Sequence, residues 1–263
     1  MSDYEYIFDN LSWSFSNLKS FIQCPFEWKL KYVDCCSGID NIYGKFGSVC
    51  HKTLELYLTN KLKAEELLQY YTEHFDVLDV VQDEYEAKRY DKLDAIGKEY
   101  FTNFTDNFNI KEIIGVEKKI EFDFFGKTFI GYIDLIYRDK EGNLIILDHK
   151  TAEAPFNKNG TIKKAKQSDF DFYKKQLYIY CLGIEKIYGR RPNKIGWNFI
   201  RSGQIHLLDF DEQEYKEACE WAKETIGNVY CTERFSRVEN FFYCNNLCKY
   251  RNLCYRLGEE DEY

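Results

Sequence analysis

Residues 131–151 read GYIDLIYRDKEGNLIILDHKT, and the fold turns on how this stretch is read. KTFIGYIDLIY (127–137) and NLIILDHKT (143–151) are β-rich apolar runs, and DKEGN (139–143) between them has turn composition. They predict two antiparallel strands, with Asp134 in the first and Asp148 and Lys150 at the end of the second. Successive side chains on a strand point to opposite faces, so Asp148 and Lys150 share a side. The preceding LIIL suits a central strand, where packing gives little reason for a carboxylate and an amine. Two carboxylates on adjacent strands can hold a hard cation such as Mg²⁺ or Mn²⁺. A neighbouring lysine can orient an attacking water, help deprotonate it and stabilise developing negative charge. The plainer alternative is a surface ion pair at a strand end.

Upstream, VEKKIEFDFF (116–125) is a third β-rich run joined through Gly126, so residues from 113 onward predict an antiparallel meander. Downstream come a polar, lysine-rich loop (155–170), a helix (171–189) ending near Gly189 before Pro192, and KIGWNFIRSGQIHLLDF (194–210), a hairpin turning at Ser202-Gly203. Residues 211–228 predict a last amphipathic helix. On the N-terminal side, 14–32 predicts a helix opened by Ser14 and Ser16 and broken or restarted at Pro25. Residues 46–60 and 64–108 carry helical periodicity. The whole is an α/β (α+β) chain, with the meander in a central sheet flanked by helices.

At 44% apolar and 18% aromatic residues with three prolines, the chain is globular rather than disordered. The acidic start MSDYEYIFDN is no signal peptide, and no segment approaches the roughly 18–20 apolar residues of a membrane helix. An intracellular, cytoplasmic protein without a membrane partner is expected. Ten cysteines in that setting predict packing or metal binding rather than disulfides. Cys50, Cys181 and Cys219 fall in helical patterns, as buried apolar residues do. The formal charge of −8 argues mildly against a general nucleic-acid binder. Part of that charge sits in the run Glu259–Glu262, however. Lys158, Lys163, Lys164, Lys166, Lys174 and Lys175, with Arg190, Arg191 and Lys194, leave room for a local basic surface.

Three further groups bear on chemistry. In GKFGSVCHKTLELYL (44–58), His51 and Glu55 are four apart and share a helix face. Alone they read as a surface histidine beside a glutamate; next to two aspartates the imidazole becomes a third metal ligand. Glu117, beside Lys118 and Lys119, is on its own a charged strand residue. Gln176 and Tyr180, again four apart, fit a solvated edge or hydrogen bonds to a phosphate, a base or the lysine. At the C-terminal end, FFYCNNLCKYRNLC (241–254) sets Cys244, Cys248 and Cys254 among polar residues at ligand-like spacing. A tetrahedral zinc or an iron–sulfur cluster takes four ligands.

The ordered set GxxxH, GxID, DHKT and QxxxY, spread over residues 11–254, resembles the RecB-type nucleases of the PD-(D/E)XK superfamily. The resemblance implies one nuclease domain over 1–263, with a restriction-endonuclease-like core and central mixed sheet at 113–210. An N-terminal helical region (11–112) and a C-terminal helix with a cysteine cluster (211–263) would flank that core. It implies that His51, Asp134 and Asp148 ligate Mg²⁺ or Mn²⁺ and that Lys150 is the catalytic lysine. Gln176 and Tyr180 match the helix motif beside the site, Glu117 an acidic position before the Asp134 strand, and Glu55 an acid following the histidine, as easily structural as functional. Members such as the AddB nuclease domain and the CRISPR-associated single-strand exonucleases carry a [4Fe–4S] cluster, held by one cysteine near the N-terminus and three near the C-terminus. SNLKSFIQCPFEWKLKYV (16–33) is similar to their N-terminal segment, which pairs Cys24 with Cys244, Cys248 and Cys254; Cys35 and Cys36 compete for that place. The family's Cys-x2-Cys-x5-Cys spacing is Cys-x3-Cys-x5-Cys here.

The expected activity is metal-dependent hydrolysis of DNA from single-stranded ends, with the cluster in a structural role. A bacterial or phage-encoded protein of recombination, repair or defence is implied. No GxxxxGK[ST] phosphate loop occurs, so a separate helicase, recombinase or annealing protein is an expected partner. The alternative is a non-catalytic module that binds DNA ends and carries an iron–sulfur or zinc site.

Overall fold

The computed structural model describes residues 4–76 and 84–254; the acidic run Glu259–Glu262 lies outside them. Helices α1 (Glu5–Asp9), α2 (Phe15–Gln23), α3 (Pro25–Tyr32), α4 (Ile42–Leu58), α5 (Leu67–His74) and α6 (Glu84–Thr102) precede a sheet. Its strands are β1 (Ile110–Phe124), β2 (Lys127–Asp139), β3 (Leu144–Lys150), β4 (Lys194–Phe199) and β5 (Gln204–Asp209), side by side in that order. Helix α7 (Gln167–Tyr188) joins β3 to β4, and α8 (Glu212–Tyr230) and α9 (Phe241–Asn246) follow. Neighbouring strands are antiparallel except β3 and β4, which run parallel. The sheet is therefore mixed, and the expected meander and hairpin are both in it. A parallel pair needs a crossover, and α7 supplies it.

Local chemistry explains the turns and helix starts. Between β1 and β2, Phe125 and Gly126 have φ of 51° and 79°, the doubly positive backbone of a two-residue hairpin loop. Asp139 closes the next turn, its carboxylate accepting from the Asn143 N–H at 2.7 Å. Pro25 restarts the N-terminal helix as expected. Cys24 ends α2, and its Sγ accepts from the Glu27 N–H at 3.5 Å to cap α3.

Some boundaries differ from those expected. Helix α4 starts earlier, at Ile42, because the Asn41 side chain caps it by accepting from the Gly44 N–H at 2.9 Å. The helical stretch expected over 64–108 is divided into a 3-10 turn (Ala64–Glu66), α5 and α6. Strand β1 begins at Ile110, and α7 begins at Gln167, so the end of the expected lysine loop is a helical first turn with solvated polar side chains.

Both faces of β3 are buried. Leu144 and Ile146 join the core shared with α2, α7 and α8, which includes Leu18, Leu177 and Ala222. Ile145 and Leu147 join the opposite one, with Leu58 of α4, Phe108, Leu135 and Tyr137. Beyond that face, α4, α5 and α6 pack through Phe46, Leu54, Tyr71 and Leu93. Besides the register shifts between Ile110 and Glu112 and between Ile113 and Gly115, alternation slips beside the site. On β2, Ile133 and Ile136 both lie on the α7 face while Leu135 lies on the α4 face. On β1, Val116 sides with α4 and Ile120 with α7. Glu117, between them, has φ of 46°. A left-handed backbone at a residue other than glycine costs about 1–2 kcal/mol, and such strain gathers at functional sites.

Candidate active site

Strands β2 and β3 are paired as far as Leu135 and Leu147 and then part. Asp134 and Asp148 are the next residues on each side of this fork. The His149 N–H, left without a strand partner, donates to Asp134 Oδ2 at 2.6 Å. Farther along, Trp13 takes over the free edge of β2: its N–H donates to Thr128 O at 2.9 Å and its carbonyl accepts from Ile130 at 2.8 Å.

Helix α4 brings His51 to the fork, with Gly47 one turn earlier facing Thr151 at the end of β3. His51 Nδ1 lies 3.4 Å from Asp134 Oδ2 and 3.7 Å from Glu117 Oε1. The ligand atoms of His51, Glu117 and Asp134 all fall within 4.8 Å of one another. Burial opposes a charged imidazole, but Asp134 and Glu117, with the charge of Asp148, outweigh it and raise His51 to about 10. Burial likewise opposes ionisation of Asp134, yet His51 and His149 hold it below the usual carboxylate range. Asp148 moves upward: burial raises it against the pull of Lys150, and the Asp134 charge adds to the rise.

Lys150 Nζ pairs with Asp148 Oδ2 at 2.7 Å and donates to Gln176 Oε1 at 2.9 Å. It also faces the Tyr173 ring, 4.5 Å from its centroid. One turn after Gln176, the Tyr180 ring rests on Gly131; a Cβ there would come within 2.6 Å of a ring carbon. The glycine of GxID thus lets α7 settle on β2, which sets Gln176 against Lys150. Glu55 is held by Lys52 at 2.8 Å and stays out of the cluster.

The geometry adds residues that motif spacing did not single out. His149 projects from the opposite face of β3, its ring 5.6 Å from that of His51. Asn198 donates to His149 Nδ1 at 3.1 Å and to the Tyr100 hydroxyl at 2.9 Å. The His149 proton therefore sits on Nε2, which has no hydrogen-bond partner among the described residues. Burial lowers His149 to about 4, so it is neutral. Alternation along DHK foretells that His149 faces away from Asp148, and an asparagine inside the apolar run GWNF is a signal of its own. Tyr173 has no such mark in the sequence. The donor set suits a hard divalent cation: two carboxylates and an imidazole converge.

The predicted cysteines meet elsewhere. Cys24, Cys244, Cys248 and Cys254 line one cavity of about 740 Å³ with Glu27, Tyr243 and Arg237, whereas Cys35 and Cys36 do not line it. Burial pushes the Cys248 thiol up to about 12, with Glu27, Cys24 and Cys244 adding to the rise. Among the described residues no three cysteine sulfurs fall within 4.8 Å of one another. A single tetrahedral zinc, with bonds of about 2.3 Å, would hold its sulfurs about 3.8 Å apart. The C-terminal segment is also fastened without metal. The Tyr243 hydroxyl donates to Glu27 across 216 residues, Asn41 Nδ2 to Leu247 O at 3.0 Å and Ile39 N–H to Lys249 O at 2.8 Å.

The sequence model of the PD-(D/E)XK nuclease superfamily matches residues 12–255. The chain belongs to this superfamily. For a PD-(D/E)XK nuclease, the implied cofactor is a divalent metal and the implied substrate is DNA. The fold is similar to that of a provisionally named exonuclease from Eubacterium rectale, with a TM-score of 0.53 and 14% identity over 95% of this chain and 90% of that one. A looser likeness, TM-score 0.32 and 18% identity over 78% of this chain and 81% of the other, is to the structure of SSO0001 and carries no argument. No curated protein sequence matches this nuclease. Among its described residues no helix is long and apolar enough to cross a membrane.

Proposed function

We propose that this nuclease is an exonuclease that hydrolyses phosphodiester bonds from single-stranded DNA ends. The observation that carries the proposal is the convergence at one fork of His51, Glu117 and Asp134 with the Asp148–Lys150–Gln176 group. His51, Asp134 and Asp148, joined by Glu117, are the residues to hold Mg²⁺ or Mn²⁺, which when bound polarises a phosphate and makes water a nucleophile at neutral pH. Lys150 has three N–H donors; Gln176 takes one and Asp148 stands beside the ammonium. What remains of its charge orients the attacking water and stabilises the negative charge that grows on the phosphate. Gln176 positions Lys150, and Tyr180 positions Gln176. The provisional name of the E. rectale protein supports the exonuclease reading.

Residues 1–263 act as one domain in this reading, with a structural [4Fe–4S] cluster on Cys24, Cys244, Cys248 and Cys254. That these four cysteines line one cavity supports a shared metal site. The test uses single-stranded oligonucleotides labelled at the 5′ or the 3′ end, with Mg²⁺ or Mn²⁺. Stepwise shortening from one end is the expected outcome, and the label lost first gives the polarity. Isolated internal cuts, or preference for intact duplex, would overturn the assignment.

A further inference from the structure

Most basic residues along α7 and its approach are already neutralised. Lys163 is held by Glu153 at 2.7 Å, Lys166 by Asp169 at 3.1 Å and Lys174 by Glu214. Lys19 and Lys175, like Lys158 and Lys164, have no carboxylate within 4.0 Å of the ammonium among the described residues, but only these two converge on one ring. Lys19 projects from α2 and Lys175 from α7, and they meet at one ring, their Nζ atoms 5.8 and 5.9 Å from the centroid of Phe172. Lys175 also lies 5.8 Å from the Trp221 ring, which meets Phe172 edge-on at 5.8 Å. Both lysines are half-buried.

Ammonium groups withdrawn from water without a carboxylate are costly unless an anion completes them. The position says which anion. Phe172 immediately precedes Tyr173, whose ring faces Lys150. Burial lowers the Lys19 ammonium, the charge of Lys150 lowers it further, and Asp169 and Asp148 only partly offset this. Lys19 is thus within electrostatic reach of the reacting centre without belonging to it. In a chain of net charge −8, two such cations beside the site fit a polyanionic strand.

We propose that Lys19 and Lys175, which meet at Phe172, form a phosphate subsite that holds the substrate strand beside the reacting centre. The inference rests on the nuclease reading and deepens it. The ligand is a phosphate group, either an internal phosphodiester or the phosphomonoester at a strand end.

Binding of fluorescent single-stranded oligonucleotides, measured by anisotropy in EDTA to prevent cleavage, separates the possibilities. The strands end in a 5′-phosphate, a 3′-phosphate or hydroxyls, and salt is varied. Wild type, Lys19→Gln, Lys19→Arg and Lys175→Gln are compared, with melting curves to confirm folding. Lys19→Gln and Lys175→Gln should each weaken binding roughly tenfold. Each should also flatten the plot of log affinity against log salt by about 0.7, the value for one phosphate contact on a single strand. Lys19→Arg should restore both. A wild-type preference for one phosphorylated end that vanishes in Lys19→Gln assigns the subsite to the terminal phosphate; equal losses on all ends assign it to an internal one. Lys175→Gln carries the test alone if Lys19→Gln does not fold. Wild-type affinity and slope in the folded glutamine variants would overturn the subsite and leave the nuclease reading standing. A wild type that binds no strand in EDTA would overturn the subsite, while the nuclease reading is decided separately by cleavage with Mg²⁺ or Mn²⁺.

Discussion

The imidazole of His51 lies between two carboxylates, and their bonds to it, with the nearby charge of Asp148, prevail over burial to raise it to about 10 from an ordinary 6.5. In protein stripped of metal this raised value stabilises the fold. The contribution is fully present below about pH 6.5 and fades as the pH climbs through about 10. A cation needs the neutral ring and must displace that proton. Calorimetric titration with Mn²⁺ in buffers of different ionisation enthalpy should therefore show about one proton released near pH 7, and affinity rising about tenfold per pH unit. Proton release near zero, with pH-independent affinity, would contradict a protonated His51 in the metal-free protein. At this scale the motif residues were legible because each belongs to a short pattern with a chemical reason. Lys19, Tyr173 and Phe172 were not, because only the packing of α2 and the N-terminal half of α7 gives them their neighbours. Glu117 read as an ordinary strand charge; what sets it beside His51 is a left-handed backbone that glutamate rarely adopts.

The contact that decides the geometry between elements is the seat of Tyr180 on Gly131. In Gly131→Ala the new methyl would sit 2.6 Å from a ring carbon. Overpacking of this kind costs about 1–3 kcal/mol. Lifting α7 would also draw Gln176 from Lys150, and small displacements at a reacting centre cost up to about 100-fold in rate. Thermal melting and steady-state cleavage should show a modestly less stable variant with turnover reduced about 10–100-fold. Unchanged turnover would mean that α7 does not position Lys150. The strands were readable as β-rich apolar runs, and the meander follows from its short turns. The parallel neighbour of β3 was not readable from the strands, since LIILDHK and KIGWNF fit either direction. Only the crossing of α7 decides it. The slip in alternation between Ile133 and Ile136 was hidden for a related reason: a shift of face leaves the apolar content of the strand unchanged.

Over the whole molecule, Cys24 of the first helices faces one cavity with Cys244, Cys248 and Cys254 of the last segment. The Glu27–Tyr243 and Asn41–Leu247 bonds already hold these ends together. The proposed cluster, by joining Cys24 to the other three, would close a loop of more than 200 residues and stabilise the fold by roughly 3–5 kcal/mol if it acts as disulfides do. Protein purified without oxygen should contain iron and sulfide in equal amounts, and Cys24→Ser should lose the visible absorption and melt roughly 6–20 °C lower. A colourless protein with one zinc would replace the cluster by a single ion. These ends stand apart from the fork where the chemistry is placed, so the central claim is tested at the fork. Wild type and Asp148→Ala, both shown to be folded, are incubated with end-labelled single-stranded DNA and Mg²⁺ or Mn²⁺, with EDTA as control. Wild type should shorten the strand, EDTA should stop it, and Asp148→Ala should be slower by at least about 100-fold. Equal cleavage by the two proteins, or none by wild type with either metal, would contradict the account.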